Sequence, residues 1–264
     1  MRTPQAVVAC LLSTAICFGQ SGLAQAQQKE DASRCSDAVV EQVGRHFGLA
    51  EFAYPADGTA PSAENGGMVV AGICRPWPTN KSRTIAAFAY DAGTEDEKRL
   101  LLVVVEGPGN RVVASYTRSI PEDAITEVSD YSLKLDTARY TLSNTARAFG
   151  LRMSTFRDRC GYEGGFDDEL TLFVVDGQTI RPVLTEMMSH WSYGRGNRCS
   201  GDDVARTDAR VSISVEPTAS NGFADLRLTG TRTDKRKPVS VVVKYNGDHY
   251  ELKPWTAAFS AWWD

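Results

Sequence analysis

From residue 68 to residue 252 the chain is a succession of short apolar runs, each broken by Gly, Pro, Asn or Asp. The runs are rich in Val, Ile, Leu and Thr, residues that suit a pleated, half-buried surface. They predict strands near 68–74, 83–90, 99–105, 111–117, 132–140, 146–155, 170–175, 179–186, 209–216, 224–229, 239–245 and 248–252. Before them the period is helical. Val39, Val43 and Phe47 recur on one face, Ser36 stands where a helix N-cap would be, and Gly48 can end the helix. A polar Pro/Gly-rich stretch, residues 54–67, reads as a loop.

The strands fall into a recurring order. In three successive units, 68–120, 132–193 and 208–256, two strands precede a charged connection, and a strand, a tight turn and another strand follow. The tight turns are Glu106-Gly107-Pro108-Gly109-Asn110, Asp176-Gly177-Gln178 and Asn246-Gly247-Asp248. Asp-Gly and Asn-Gly supply the positive φ that a short hairpin requires. The expected fold class is therefore all-β: four-stranded antiparallel meanders, arranged propeller-like or as a β-sandwich, with one short N-terminal helix.

The first 26 residues change the picture of where this fold forms. Arg2, an apolar run from Ala6 to Phe18 and Ala24-Gln25-Ala26 have the three parts of a secretory signal. The run of about 13 residues is shorter than the roughly 20 needed to cross a bilayer. The expected organisation is a signal peptide over 1–26, a polar segment with the helix and loop over 27–67, and the β domain over 68–264. Past residue 26 no apolar run reaches spanning length, so no transmembrane segment is expected there.

Four cysteines follow the leader: Cys35, Cys74, Cys160 and Cys199. An even number in an exported chain reads as disulfides, and four cysteines allow three pairings. Pairing nearest neighbours, Cys35 with Cys74 and Cys160 with Cys199, closes two loops of equal length. A zinc site is disfavoured, because no two of the four have the C-x-x-C spacing that lets thiolates share a metal.

With 29 basic and 33 acidic residues the net charge is −4, which argues against a nucleic-acid partner. No metal, hydrolase, Walker or dinucleotide motif is present, so no catalytic residue, metal or cofactor is assigned. The three histidines, His46, His190 and His249, lie in separate segments. Only His190 has a nucleophile-type neighbour, Ser189, and adjacent strand residues point to opposite faces.

Other groups offer binding surfaces. Arg232, Lys235, Arg236 and Lys237 form a basic hairpin tip that suits an anionic partner. Trp191 and Trp255 are aromatic candidates for partner binding, and Trp255, Phe259, Trp262 and Trp263 also have the spacing of a short amphipathic helix. Glu163, Asp167, Asp168 and Glu169, near Gly161, Gly164 and Gly165, read as an exposed acidic loop.

In the third unit, Ser220-Asn221-Gly222-Phe223-Ala224-Asp225-Leu226 with the later Tyr245-Asn246-Gly247-Asp248-His249-Tyr250 resembles FG-GAP/VCBS-like repeats of secreted bacterial proteins. Cys74-Arg75-Pro76-Trp77-Pro78 and the segment 84–91 look like phrases of uncharacterised exported proteins of Gram-negative bacteria. The resemblance implies propeller-type blades, some of which hold calcium through an acidic loop. Here that loop is Pro217-Thr218-Ala219-Ser220, which leaves only Asn221 and Asp225 as oxygen ligands.

Together these features predict a non-enzymatic periplasmic or secreted protein that binds a protein or cell-envelope partner, an inhibitor or immunity-type protein being one form. The alternative is an enzyme on envelope glycans using carboxylates such as Asp167, Asp168, Asp202 or Asp203 beside Trp191.

Overall fold

The computed structural model describes residues 33–55, 66–94 and 96–264. The expected leader, the polar residues up to 32 and most of the 54–67 loop lie outside the described residues. The chain divides into Met1–Arg34 and a compact unit, Cys35–Asp264, which is the one described below.

The unit opens with helix α1, Asp37–Phe47. Val39, Val40 and Val43 are buried on one face, as their spacing demands. Ser36 occupies the N-cap position, but only its backbone carbonyl serves the helix, accepting from Val39 N and Val40 N. Gly48 ends the helix in the left-handed conformation, φ 67°, where a side chain would be strained.

Eleven strands follow among the described residues. The first meander is β1 (Val69–Trp77), β2 (Asn80–Thr94), β3 (Glu97–Glu106) and β4 (Arg111–Pro121). The second is β5 (Leu133–Thr141), β6 (Arg147–Met153), β7 (Gly164–Asp176) and β8 (Thr179–Tyr193). The third is β9 (Arg206–Ser220), β10 (Phe223–Arg232) and β11 (Val239–Val243). Neighbours within each meander are antiparallel. The fold class is all-β, as the periodicity predicts.

Strand β8 joins the three meanders. One edge pairs with β7 from Thr179 to Ser192. The other edge begins beside β4, through the parallel pair Ser115–Thr179, and ends beside β9, from Ser189–Arg210 to Tyr193–Arg206.

The meanders are joined in one eleven-stranded sheet among the described residues and share cores. In β3, Leu100, Leu102 and Val104 enter a core with Phe149, Leu151 and Phe173 of the second meander. The alternate residues Leu101, Val103 and Val105 enter a second core with Val40 and Val43 of α1. Burial on both faces is why this strand is apolar without interruption. A third core joins Leu170, Leu172 and Met188 to Val211, Leu226 and Leu228 of the third meander.

Two local expectations change. Residues 248–252 form no strand: a lone bridge, Tyr245–Tyr250, closes the Asn246-Gly247-Asp248 turn, and Tyr250 N donates instead to Val183 O of β8. Pro254 lacks the N–H a ladder needs but fits the first turn of a helix. The chain accordingly forms α2, Lys253–Trp263, with Trp255 and Phe259 buried. A second helix therefore joins the N-terminal one.

The acidic run is not a loop either, because Asp167, Asp168 and Glu169 lie inside β7. Gly164 and Gly165 mark a close approach. A Cβ on Gly164 would stand 2.7 Å from Trp191 O, and one on Gly165 2.7 Å from Trp191 Cζ2.

Both disulfides have the nearest-neighbour pairing. Cys35–Cys74 ties the start of α1 to β1, and Cys160–Cys199 ties the β6–β7 connection to the segment after β8, each across 39 residues. The pairs are consistent with an oxidising, extracellular compartment. No helix among the described residues is long and apolar enough to cross a membrane.

Candidate functional site

The β7–β8 ribbon is closed at its Asp176-Gly177-Gln178 turn and open at the other end, where Gly164 faces Ser192 and Phe166 faces His190. Strand alternation sends successive side chains of this open end to opposite faces. A cleft lies on each face. Phe166 lines both and is 56% exposed; among the described residues only Tyr131 is another exposed large hydrophobic side chain.

The first cleft, about 410 Å³, lies between the end of β4, the β4–β5 connection and the start of β7. Its carboxylates are already engaged. Glu169 pairs with Arg118 of β4, and Asp167 accepts from Thr155 N at 3.1 Å and Phe156 N at 3.4 Å. Asp123 accepts from Ile125 N and Thr126 N, both at 2.8 Å, and these N–H groups hold its carboxyl below the usual range. Asp168, at a left-handed φ of 61°, pairs with Arg152 at 2.6 Å, and Arg152 also reaches Asp136 at 3.3 Å.

The second cleft, about 640 Å³, is a groove between β7–β8 and α2. Glu186 and His190, four residues apart on one face of β8, both line it with Trp255, Phe259 and Trp263 of α2. Burial pushes the Glu186 carboxyl up to about 7, against the bonds from Met187 N at 3.1 Å and from the Trp255 side chain. No cation pairs with it among the described residues. Burial also lowers the His190 pKa, partly offset by a contact of Nε2 with Met187 O at 3.1 Å. The His190 ring lies 4.6 Å from the Phe259 ring and 6.3 Å from that of Phe166.

The open end is fastened from outside. Cys160–Cys199 closes over it, and Arg198, next to Cys199, bonds Asp158 at 2.8 Å and Tyr162 O at 3.1 Å while stacking 3.7 Å from the Tyr193 ring. These bonds tie the β6–β7 connection to the segment after β8 at this end.

The sequence-predicted surfaces are placed differently. Trp191 is buried, its ring 4.8 Å from Phe156 and 5.2 Å beneath Arg206, and its Nε1 is a buried donor without an acceptor among the described residues. Trp255 is buried in the core under α2. Both therefore lie inside, where packing explains them, and neither offers an exposed platform.

The basic tip is divided. Arg232 donates to Trp263 O and Trp262 O, and Arg236 donates to Trp262 O, so two of the four cations cap the end of α2. Lys235 and Lys237 remain exposed.

Ser189 is buried and pairs across to Arg210, apart from the His190 ring. Asp202 accepts from Asn197 N at 2.6 Å, and Asp203 is exposed beyond it. Asn221 donates to Tyr245 O at 2.8 Å and the buried Asp225 accepts from Thr218 Oγ1 at 2.7 Å, so both serve local structure. No group of three or more His, Cys, Asp or Glu is placed to hold a metal among the described residues.

Phe166 and Glu186 are the residues the sequence pattern did not single out. The available signal was Glu186 itself, a lone carboxylate among Val183, Leu184, Met187 and Met188.

No protein-family model, no curated protein and no solved structure matches the chain.

Proposed function

We propose that the protein is exported to the periplasm or beyond and acts there as a non-enzymatic binding protein for a protein or cell-envelope partner. The open end of the β7–β8 ribbon is its contact surface. The observation that carries this reading is Phe166, an exposed aromatic between two clefts on an end braced by a disulfide and the Arg198 bonds. Exposed aromatics on a rigid frame are typical interface anchors, because they bury much area at little cost in conformational entropy.

The glycan-enzyme alternative has less support. Asp167 and Asp168 accept backbone N–H groups or a guanidinium, and Trp191, its proposed sugar platform, is buried. An inhibitor or immunity-type role is one form of the binding reading, in which the partner would be an envelope enzyme.

The test compares purified oxidised protein with Phe166→Asp and with Lys81→Glu, a change on an exposed residue of β2. Each is passed over immobilised envelope fractions. Wild type and Lys81→Glu are expected to be retained and Phe166→Asp to be lost at unchanged Tm. Equal retention of all three contradicts the proposal.

A further inference from the structure

The groove beside α2 has a chemistry of its own. Its walls are aromatic, with Phe166 on β7 and Trp255, Phe259 and Trp263 on α2. Phe259 lies 5.0 Å from Trp255 and stacks with Trp263 at 6.3 Å. Among these rings stands Glu186, a half-buried carboxyl whose neighbours offer neutral N–H donors and no positive charge.

The other charged groups that face the groove are Glu163, just before β7, and Asp264, just after α2; no Lys or Arg lines it. His190 is the remaining titratable group, and its burial keeps the ring neutral at pH 7 and above. A groove that combines aromatic faces with carboxylates outside any ion pair attracts a cation through both the ring quadrupoles and the anionic oxygens. An inorganic divalent ion fits poorly, since it needs several converging oxygens and the rings supply none.

We propose that this groove binds an alkylammonium group, with Glu186 accepting from the N–H donors while the Trp263 ring, backed by the buried Phe259 and Trp255, packs the alkyl chain. The proposal rests on the binding reading above and assigns a ligand class to one of its two clefts. The ammonium can belong to a free amine or to a lysine side chain of a partner, and the recognition chemistry is the same.

The experiment titrates the purified oxidised protein with n-butylammonium, with an acetylated and amidated lysine, and with neutral 1-pentanol. Tryptophan fluorescence and NMR shifts report binding. Saturable binding of n-butylammonium is expected at pH 8, with a dissociation constant on the order of 1 mM or tighter. Tighter binding of the capped lysine would assign the site to a partner's side chain, and tighter binding of n-butylammonium would assign it to a free amine.

Glu186→Gln, which keeps the shape, is expected to weaken binding at least tenfold, and Trp263→Leu severalfold. Lowering the pH to 5.5 should weaken the wild type as Glu186 takes up its proton. Equal binding of 1-pentanol, equal binding by Glu186→Gln, or no saturation by either ammonium probe overturns the proposal. Retention on envelope fractions through Phe166 would survive that failure, so the two readings fail separately.

Discussion

The Arg232 guanidinium donates to the carbonyl oxygen of Trp263 at 2.6 Å and lies 4.8 Å from the centre of that residue's ring. The last side chain of β10 thereby caps the last turn of α2 and covers its final tryptophan, fixing one wall of the Glu186 groove. Substituting Arg232→Gln removes the charge and one face of the contact. A charged hydrogen bond of this kind is worth about 2 kcal/mol, so denaturant unfolding should show a loss of that order. Faster hydrogen exchange should be confined to 253–263, and an evenly spread increase would count against the capping role.

Glu186 makes stability depend on pH. Its carboxyl has an ordinary value of 4.5 and is held at about 7 in the folded chain. Between those values the folded state keeps a proton that the unfolded state has lost, so stability falls as pH rises through the window. Glu186→Gln should be more stable than the wild type by about 1–3 kcal/mol at pH 8 and no more stable below pH 4.5. His190 acts in the opposite sense: its lowered pKa contributes stability that is complete above 6.5 and fades as pH falls. The two must be separated by measuring each variant's full unfolding profile, and a Glu186→Gln difference that does not vary with pH would contradict the assignment.

Gly165 and Gly161 are four residues apart, and their surroundings differ. A Cβ on Gly165 meets Trp191 at 2.7 Å and Phe156 at 3.2 Å, whereas one on Gly161 meets nothing within 4 Å. Gly165→Ala should cost about 1–3 kcal/mol through overpacking. Gly161→Ala should be neutral or slightly stabilising through the unfolded chain. Thermal unfolding of the pair separates a strand from a loop at this position.

The contrast shows where sequence reading stops. Gly164 and Gly165 beside Glu163 and Asp167 have the composition of a loop, and only the position of Trp191 across the ribbon reveals that the glycines make room for it. The basic tip likewise reads as a solvated hairpin until α2 ends beneath Arg232 and Arg236. Long-range packing decides both cases, and a local pattern does not carry it. What was legible was set locally: the Asp176-Gly177 turn, the period-two runs, the α1 face and the Gly48 terminus. The disulfide partners were among three open pairings, the nearest-neighbour one being that found. Asn246-Gly247 was read correctly as a turn, but the strand expected after it at 248–252 does not form, because Tyr250 N pairs across to Val183 and Pro254 starts a helix.

The two disulfides differ in exposure. Cys160 and Cys199 are both exposed, while Cys35 is buried under α1. A mild reductant should open Cys160–Cys199 first, and differential alkylation with peptide mapping should place the early thiols at those two positions. Removing this bond by Cys160→Ala with Cys199→Ala should cost about 2–4 kcal/mol. Early labelling at Cys74 instead would contradict the packing of α1.

Whether the open end of the β7–β8 ribbon meets a partner, as proposed, can be read in living cells. In the producing cell, a photo-reactive residue placed at Phe166 and, separately, at Lys81 reports directly which end is occupied. A discrete cross-linked species from position 166 and none from position 81 is the expected result. Equal labelling at both positions, or none at 166 in fully oxidised protein, would contradict it.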